Sequence, residues 1–279
     1  MHELRARPVT LVTFAALAFA ALALAAPPAL AKPIVLRAAR MFDGKGDAVV
    51  APGQLVVDGN KLVAIGNKSR APAGAEVIDL GDVTLLPGLM DAHTHLTGEA
   101  TDDWNRDELD GFKKEIAQRA IEATVYANRT LMAGFTMVRD LGSDHFIDVG
   151  LRNAIDAGKI PGPRMLVAGN AIGARGGHCD DGAGYRQGLL KESDFTMGVA
   201  DGPDQIRSAV RYTIMHGASV VKTCASGGVL SLTDNVDSPQ LTQEELNALV
   251  DEAHALGRKA AAHAHGAEAA KRALRAGID

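Results

Sequence analysis

The spacing of apolar positions changes once along this chain, near residue 83. Before it, short β-like runs at 34–36, 54–57, 61–65 and 76–78 alternate with turn signals at Asp43-Gly44, Asp58-Gly59-Asn60 and Ala73-Gly74. This predicts a small β domain over residues 32–82. After it, apolar residues recur three and four apart. Ile116, Ala120, Ala123, Ala127 and Leu131 mark one long helix over 107–132, Gly134 ends it, and a strand follows at 135–138. The cycle repeats with helix 146–157 and strand 164–168, then helix 203–215 and strand 218–222. Thr242 and Glu245 form a capping-box pair that opens the next helix, whose buried stripe is Leu246, Leu249, Val250 and Ala253; strand 259–262 and helix 267–276 follow. Strand and helix in alternation predict parallel βα units, of which about five can be counted over 83–279.

Composition narrows the class. With 47% hydrophobic and 23% charged residues, 279 positions can bury a large core, which excludes a disordered chain. A net charge of −5 without a Lys/Arg cluster argues against a nucleic-acid partner. The N-terminus reads as an export signal. Arg5 and Arg7 precede an apolar run at 11–26, and Ala29-Leu30-Ala31 offers small residues for cleavage after Ala31. The competing reading is an uncleaved anchor, but Pro27 and Pro28 interrupt a run already short for a bilayer, so no stable membrane span is expected after cleavage. Export makes the protein periplasmic or secreted. Cys179 and Cys224 are too few for a disulfide framework; one bridge is open to them, but buried thiols or pocket walls are favoured, because nothing in the sequence brings them together.

Candidate chemistry gathers where these strands end. In the stretch 88–96, His93 and His95 are two apart, so a strand points both imidazoles to one face, where they can share a cation. Lys222 ends the strand at 218–222; a solvated strand-end charge is the ordinary reading of a lone lysine. His263 and His265 repeat the two-apart spacing at the end of strand 259–262, with loop hydrogen bonding as the bland alternative. His178 lies in a Gly-rich loop and is read equally as a substrate contact or a solvated residue. His216 and His254 read as helix surface, and His145 as a helix start. Arg139-Asp140 favours a structural ion pair or helix cap over a substrate clamp. Ser226-Gly227-Gly228 lacks the following Lys-Ser/Thr of a phosphate loop and reads as a βα turn.

Four segments in order, LLPGLMDAHTHL (85–96), FTMVRDLG (135–142), ASVVKTCASGGVLS (218–231) and AAAHAHG (260–266), resemble the amidohydrolase superfamily of metal-dependent hydrolases. The likeness is to its imidazolonepropionase-like and Xaa-Pro dipeptidase-like branch, and runs from about residue 34 to the last. It implies an α/β fold: a TIM-like (β/α)8 barrel, incomplete here, over 83–279, preceded by part of a small β-sandwich. It implies two divalent metal ions, zinc by chemistry, held by His93, His95, Lys222 and His263, with Lys222 carboxylated as the bridging ligand. Lys222 and His263 would be catalytic, and His178 and His265 would meet substrate. The reaction implied is attack by a metal-bridging hydroxide on a C–N amide or peptide bond of a small substrate, such as an Xaa-Pro or other dipeptide. A cyclic amide of the imidazolone type is the runner-up, a non-catalytic binding protein the alternative of another class, and self-association is left open. One further histidine and a catalytic aspartate, from the sixth and eighth strands of the resembled barrel, would lie beyond Asp279, so the chain alone is expected to lack the full chemistry.

Overall fold

The computed structural model describes residues 32–66 and 70–279, and the export-signal reading of residues 1–31 falls outside them. Two compact units divide at Pro87/Gly88. The first contains β1 (Ile34–Ala38), β2 (Arg40–Met41), β3 (Gly53–Asp58), β4 (Lys61–Ile65), β5 (Glu76–Asp79) and β6 (Thr84–Leu85). Its main sheet has the order β4-β3-β1-β5, with β1 antiparallel to β3 and parallel to β5, and β2 pairs with β6 alone. The part of a sandwich expected here is one mixed sheet. Val35 and Val56 are buried on it, while Leu62, Val63, Ile65 and Val77 stay exposed among the described residues.

The second unit carries β7 (Leu89–Thr94), α1 (Trp104–Lys113), α2 (Ile116–Met132), β8 (Phe135–Asp140), α3 (Ile147–Asp156), β9 (Arg164–Val167), α4 (Pro203–Met215), β10 (Val220–Cys224), α5 (Gln243–Ala255), β11 (Lys259–His263) and α6 (Ala267–Ala276). Strands β7, β8 and β9 pair in parallel, as do β10 and β11. The two sets are stitched just beyond β9, where Ser219 N–H donates to Val167 O at 2.8 Å and Ile172 N–H to Lys222 O at 2.8 Å. Five parallel strands thus follow one another in chain order; they do not close into a barrel. No helix among the described residues is long and apolar enough to cross a membrane.

The helices cover this sheet with the stripes their sequences offer. Ile206, Val210, Leu246, Leu249 and Ala273 pack with Val221 and Ala260 in one cluster, and Ala123, Ala127, Ile147 and Leu151 with Val138 and Val167 in another. The capping box is formed as read: Thr242 Oγ1 accepts from Glu245 N–H at 3.2 Å, and Glu245 Oε2 from Thr242 N–H at 2.8 Å. The other Glu245 oxygen accepts from Gly202 N–H at 2.8 Å, so this carboxylate also satisfies the residue that caps α4.

Three expectations change. The helix read over 107–132 is two, broken at Lys114 and Glu115 in extended conformation; Lys114 Nζ then reaches both Asp110 (3.1 Å) and Glu122 (2.9 Å). The barrel region expected to open at residue 83 has its first strand only from Leu89, because Thr84 and Leu85 pair with β2 instead. Cys179 and Cys224 are joined in a disulfide, Cα–Cα 5.9 Å, rather than standing as separate thiols. The bridge closes a 45-residue separation, which in the chain-entropy picture stabilises by about 4 kcal/mol. Reduction is therefore expected to lower the denaturation midpoint measurably while Cys179→Ser/Cys224→Ser becomes insensitive to reductant; equal midpoints with and without reductant in the wild type would contradict the bridge.

Candidate active site

β10 is buried along its whole length, so its central Lys222 is carried into the interior at 3% exposure. Its Nζ lies 3.4 Å from His93 Nε2. Burial, helped by the charge of Arg139, pulls the ammonium down to about 8. That is the direction expected when a cation has no carboxylate partner and little water. His93, inside β7, is pulled down to about 4 by burial, then by Lys222 and His95. His95 and His263 are lowered as well, again first by burial. At neutral pH the three imidazoles are uncharged, the state in which a ring nitrogen has a free lone pair.

The carbonyls around these rings fix their orientation. His95 Nδ1 sits 3.1 Å from Gly142 O, and as a donor there it leaves Nε2 free; His263 Nε2 sits 3.1 Å from Gly227 O and leaves Nδ1 free. No group of three or more His, Cys, Asp or Glu among the described residues forms a ready metal cage. What converges is three histidines and an amine, with His93 and His95 ring centroids 5.3 Å apart. The chemistry of this set fits divalent ions: neutral imidazoles with second nitrogens anchored on carbonyls, and a buried lysine whose amine is accessible and lacks a counter-charge.

Around the cluster lies a cavity of about 840 Å³, within the range that holds small ligands, and His93, His95, His178, Lys222 and His263 all line it. His178 is brought in from its loop, its ring 4.3 Å from that of His263. His265 packs edge-on against His263 at 4.6 Å but is exposed and is not on the cavity wall. His216 caps the end of α4 and stacks on Phe146, and His254 bonds Asp279 on the surface. Farther out, Arg119 grips Asp144 with both guanidinium nitrogens. Asp144 is held there by a turn in which His145 and Phe146 both take left-handed backbone angles, φ 52° and 55°, so His145 does not open a helix in the ordinary way.

Arg139 and Asp140 form neither the ion pair nor the cap expected of them. Arg139 Nε donates to Ala92 O at 2.8 Å. Asp140, placed at the end of β8 rather than in a loop, is fully buried, and its Oδ2 accepts from Leu96 N–H at 2.6 Å and Thr94 Oγ1 at 3.3 Å. It therefore holds the Thr94 hydroxyl and the Leu96 backbone on either side of His95, a role that an acidic residue closing an apolar strand could have signalled. Its Oδ1 has no partner. Burial raises the carboxyl to about 7 against the pull of the Leu96 N–H. A carboxyl raised from 3.8 in the unfolded chain stabilises the fold fully below pH 4 and loses that contribution as pH rises through 7. Asp140→Asn in metal-free protein should thus gain on the wild type between pH 4 and 7, by at most about 1.4 kcal/mol per pH unit. Denaturant melts of both proteins across that window check this, because the histidines cancel in the difference; parallel stability curves would contradict it.

Residues 84–279 match the amidohydrolase family. Ochratoxinase of Aspergillus niger is 34% identical over 206 residues, covering 69% of this chain and 42% of that protein. Among solved structures, an Xaa-Pro dipeptidase with methionine bound in its active site is similar at a TM-score of 0.82 and 38% identity, over 89% of this chain and 60% of that one. A prolidase complexed with N-methylphosphonate-L-proline gives a TM-score of 0.77 at 30% identity, over 88% and 60%. This chain thus spans less than two thirds of the length of each.

Proposed function

Because this chain belongs to the amidohydrolase family, we propose that its site serves an enzyme hydrolysing a C–N amide or peptide bond of a small substrate, with divalent ions held by His93, His95, Lys222 and His263. The observation that carries this reading is the meeting of His93, His95 and His263, towards the C-terminal ends of parallel strands, with the amine of Lys222, which lies at the centre of β10 rather than at its end as expected. Two divalent ions, zinc being suited to these donors, would supply carbonyl polarisation and a nucleophile at neutral pH. The chain's residues prepare the place for them. The Gly142 and Gly227 carbonyls hold His95 and His263 in the tautomers that present one lone pair each. Lys222 supplies the charge the donor set lacks: the lone pair of its free amine bonds to the carbon of carbon dioxide, a proton leaves to solvent, and an anionic carbamate results.

For the substrate we infer a dipeptide, Xaa-Pro or related. The reading is supported by likeness to a dipeptidase and a prolidase and by a cavity of suitable size. His178 has Nδ1 engaged by Ser231 Oγ at 2.7 Å, so its Nε2 is left to meet substrate. The signal pattern at 1–31 supports an activity outside the cytoplasm. Alanylproline and methionylproline, assayed with zinc-loaded, chelated and re-loaded protein, test the proposal. In the whole enzyme to which this site belongs, cleavage that disappears with chelation and returns with zinc is expected; a loaded enzyme that leaves every dipeptide intact would sink the dipeptide reading, and turnover of an imidazolone alone would move it to cyclic amides.

A further inference from the structure

His178 has no support from regular secondary structure, yet it stands against His263 at 4.3 Å between ring centroids. Besides Ser231 Oγ at its Nδ1 and the disulfide at the neighbouring Cys179, what holds it is a short chain of hydrogen bonds to the loop after β10. His178 N–H donates to Gln240 Oε1 at 2.9 Å. Gln240 Nε2 in turn donates to Asp234 Oδ2 at 2.7 Å, and the other Asp234 oxygen accepts from Gly228 N–H at 3.1 Å. Gly228 lies so close under the His178 ring that any Cβ there would collide with it. The order of these bonds has a direction. A side-chain amide can turn either end towards a neighbour, but a carboxylate offers only acceptors, so Asp234 forces the NH2 of Gln240 to face it and the carbonyl to face His178.

We propose that Asp234 and Gln240 are positioning residues for His178: Asp234 sets the direction of the Gln240 amide, and the Gln240 carbonyl seats the His178 peptide so that its ring is held over the cavity beside His263. The consequence for turnover rests on the hydrolase reading above; the seating itself does not.

Asp234→Asn places amide against amide, so Gln240 is free to turn its NH2 towards His178 N–H, where two donors meet. Adding Gln240→Glu reverses the pattern and restores it. The carboxylate introduced at position 240 would accept both from the asparagine amide and from His178 N–H, while the asparagine oxygen still accepts from Gly228 N–H. The experiment reads hydrogen exchange of the His178 amide and kcat/KM for methionylproline in the zinc-loaded protein. Asp234→Asn should speed exchange at that amide, and lower kcat/KM, each about tenfold. The Asp234→Asn/Gln240→Glu pair should bring both back near wild type, and Gln240→Met should add nothing to His178→Ala in kcat/KM. Unchanged exchange in Asp234→Asn, or a folded double variant that fails to restore it, would overturn the inference; if Asp234→Asn does not fold, Gln240→Met and the double variant carry the same exchange test. A wild type that cleaves no dipeptide would end the hydrolase reading and leave the exchange result to decide the seating.

Discussion

Replacing Lys222 by alanine should cost the protein its metal, with affinity falling on the order of a hundredfold or more, and with it any hydrolysis. The argument starts from β10. A strand buried at every position leaves the lysine little contact with water except at the cavity wall, and its nearest described partner is a histidine, not a carboxylate. With its pKa near 8 rather than 10.5, the amine at pH 7.5 is free far more often than in an exposed lysine. Carbamate formation consumes that free amine, so metal uptake should strengthen as pH rises from 6.5 to 8.5; the imidazoles, already lowered, do not drive this change. Metal counts after desalting, at several pH values and with bicarbonate supplied, read the effect. Bicarbonate should do nothing for Lys222→Ala, whereas acetate or propionate, filling the vacated space with a carboxylate, should recover part of the metal. Wild-type metal content in the variant refutes the bridging role.

The second large effect concerns the histidines. His93→Ala, His95→Ala and His263→Ala should each weaken zinc on the order of tenfold to a hundredfold or more. The same change at His254, a surface partner of Asp279, should leave affinity within about twofold, since its ring touches nothing in the cavity. His265→Ala is expected to resemble His254→Ala in metal affinity, because His265 is exposed beyond the cavity wall and touches the site only through the edge of His263. Competition titration against a chelating dye separates the two groups. Uniform loss across all five, or none, would show that the cluster is not the binding site.

Local pattern carried much of this molecule. Apolar spacing and end signals located the helices Pro203–Met215 and Ala267–Ala276 to the residue, and the Thr242/Glu245 pair foretold its cap, because these features are set by neighbours three and four apart. Strand ends brought His93 and His263 to one side of the sheet, whereas Lys222, central in β10, joined them only through the family resemblance. What remained hidden depends on contacts between distant loops. The Cys179–Cys224 bridge, the His178–Gln240 bond and the Arg119 grip on Asp144 join residues whose closeness is decided by how the loops after β8, β9 and β10 fold over the strand ends. The break at Lys114 was missed for another reason: Gly111 stands three residues before it as a weak signal, but the gain comes from an ion pair to Glu122 on the following helix. Asp140 was misread because a charged residue is ordinarily kept at the surface, whereas here the Leu96 N–H and the Thr94 hydroxyl, on either side of His95, draw it inside.

The account stands most directly on where the metal sits. Crystals of the protein loaded with zinc in bicarbonate buffer, measured at the zinc absorption edge, should show anomalous peaks at about 2.0–2.1 Å from nitrogens of His93, His95 and His263, with added density on Lys222 Nζ extending towards them. Zinc peaks confined to other residues, or none at full loading with Lys222 bare, would contradict it.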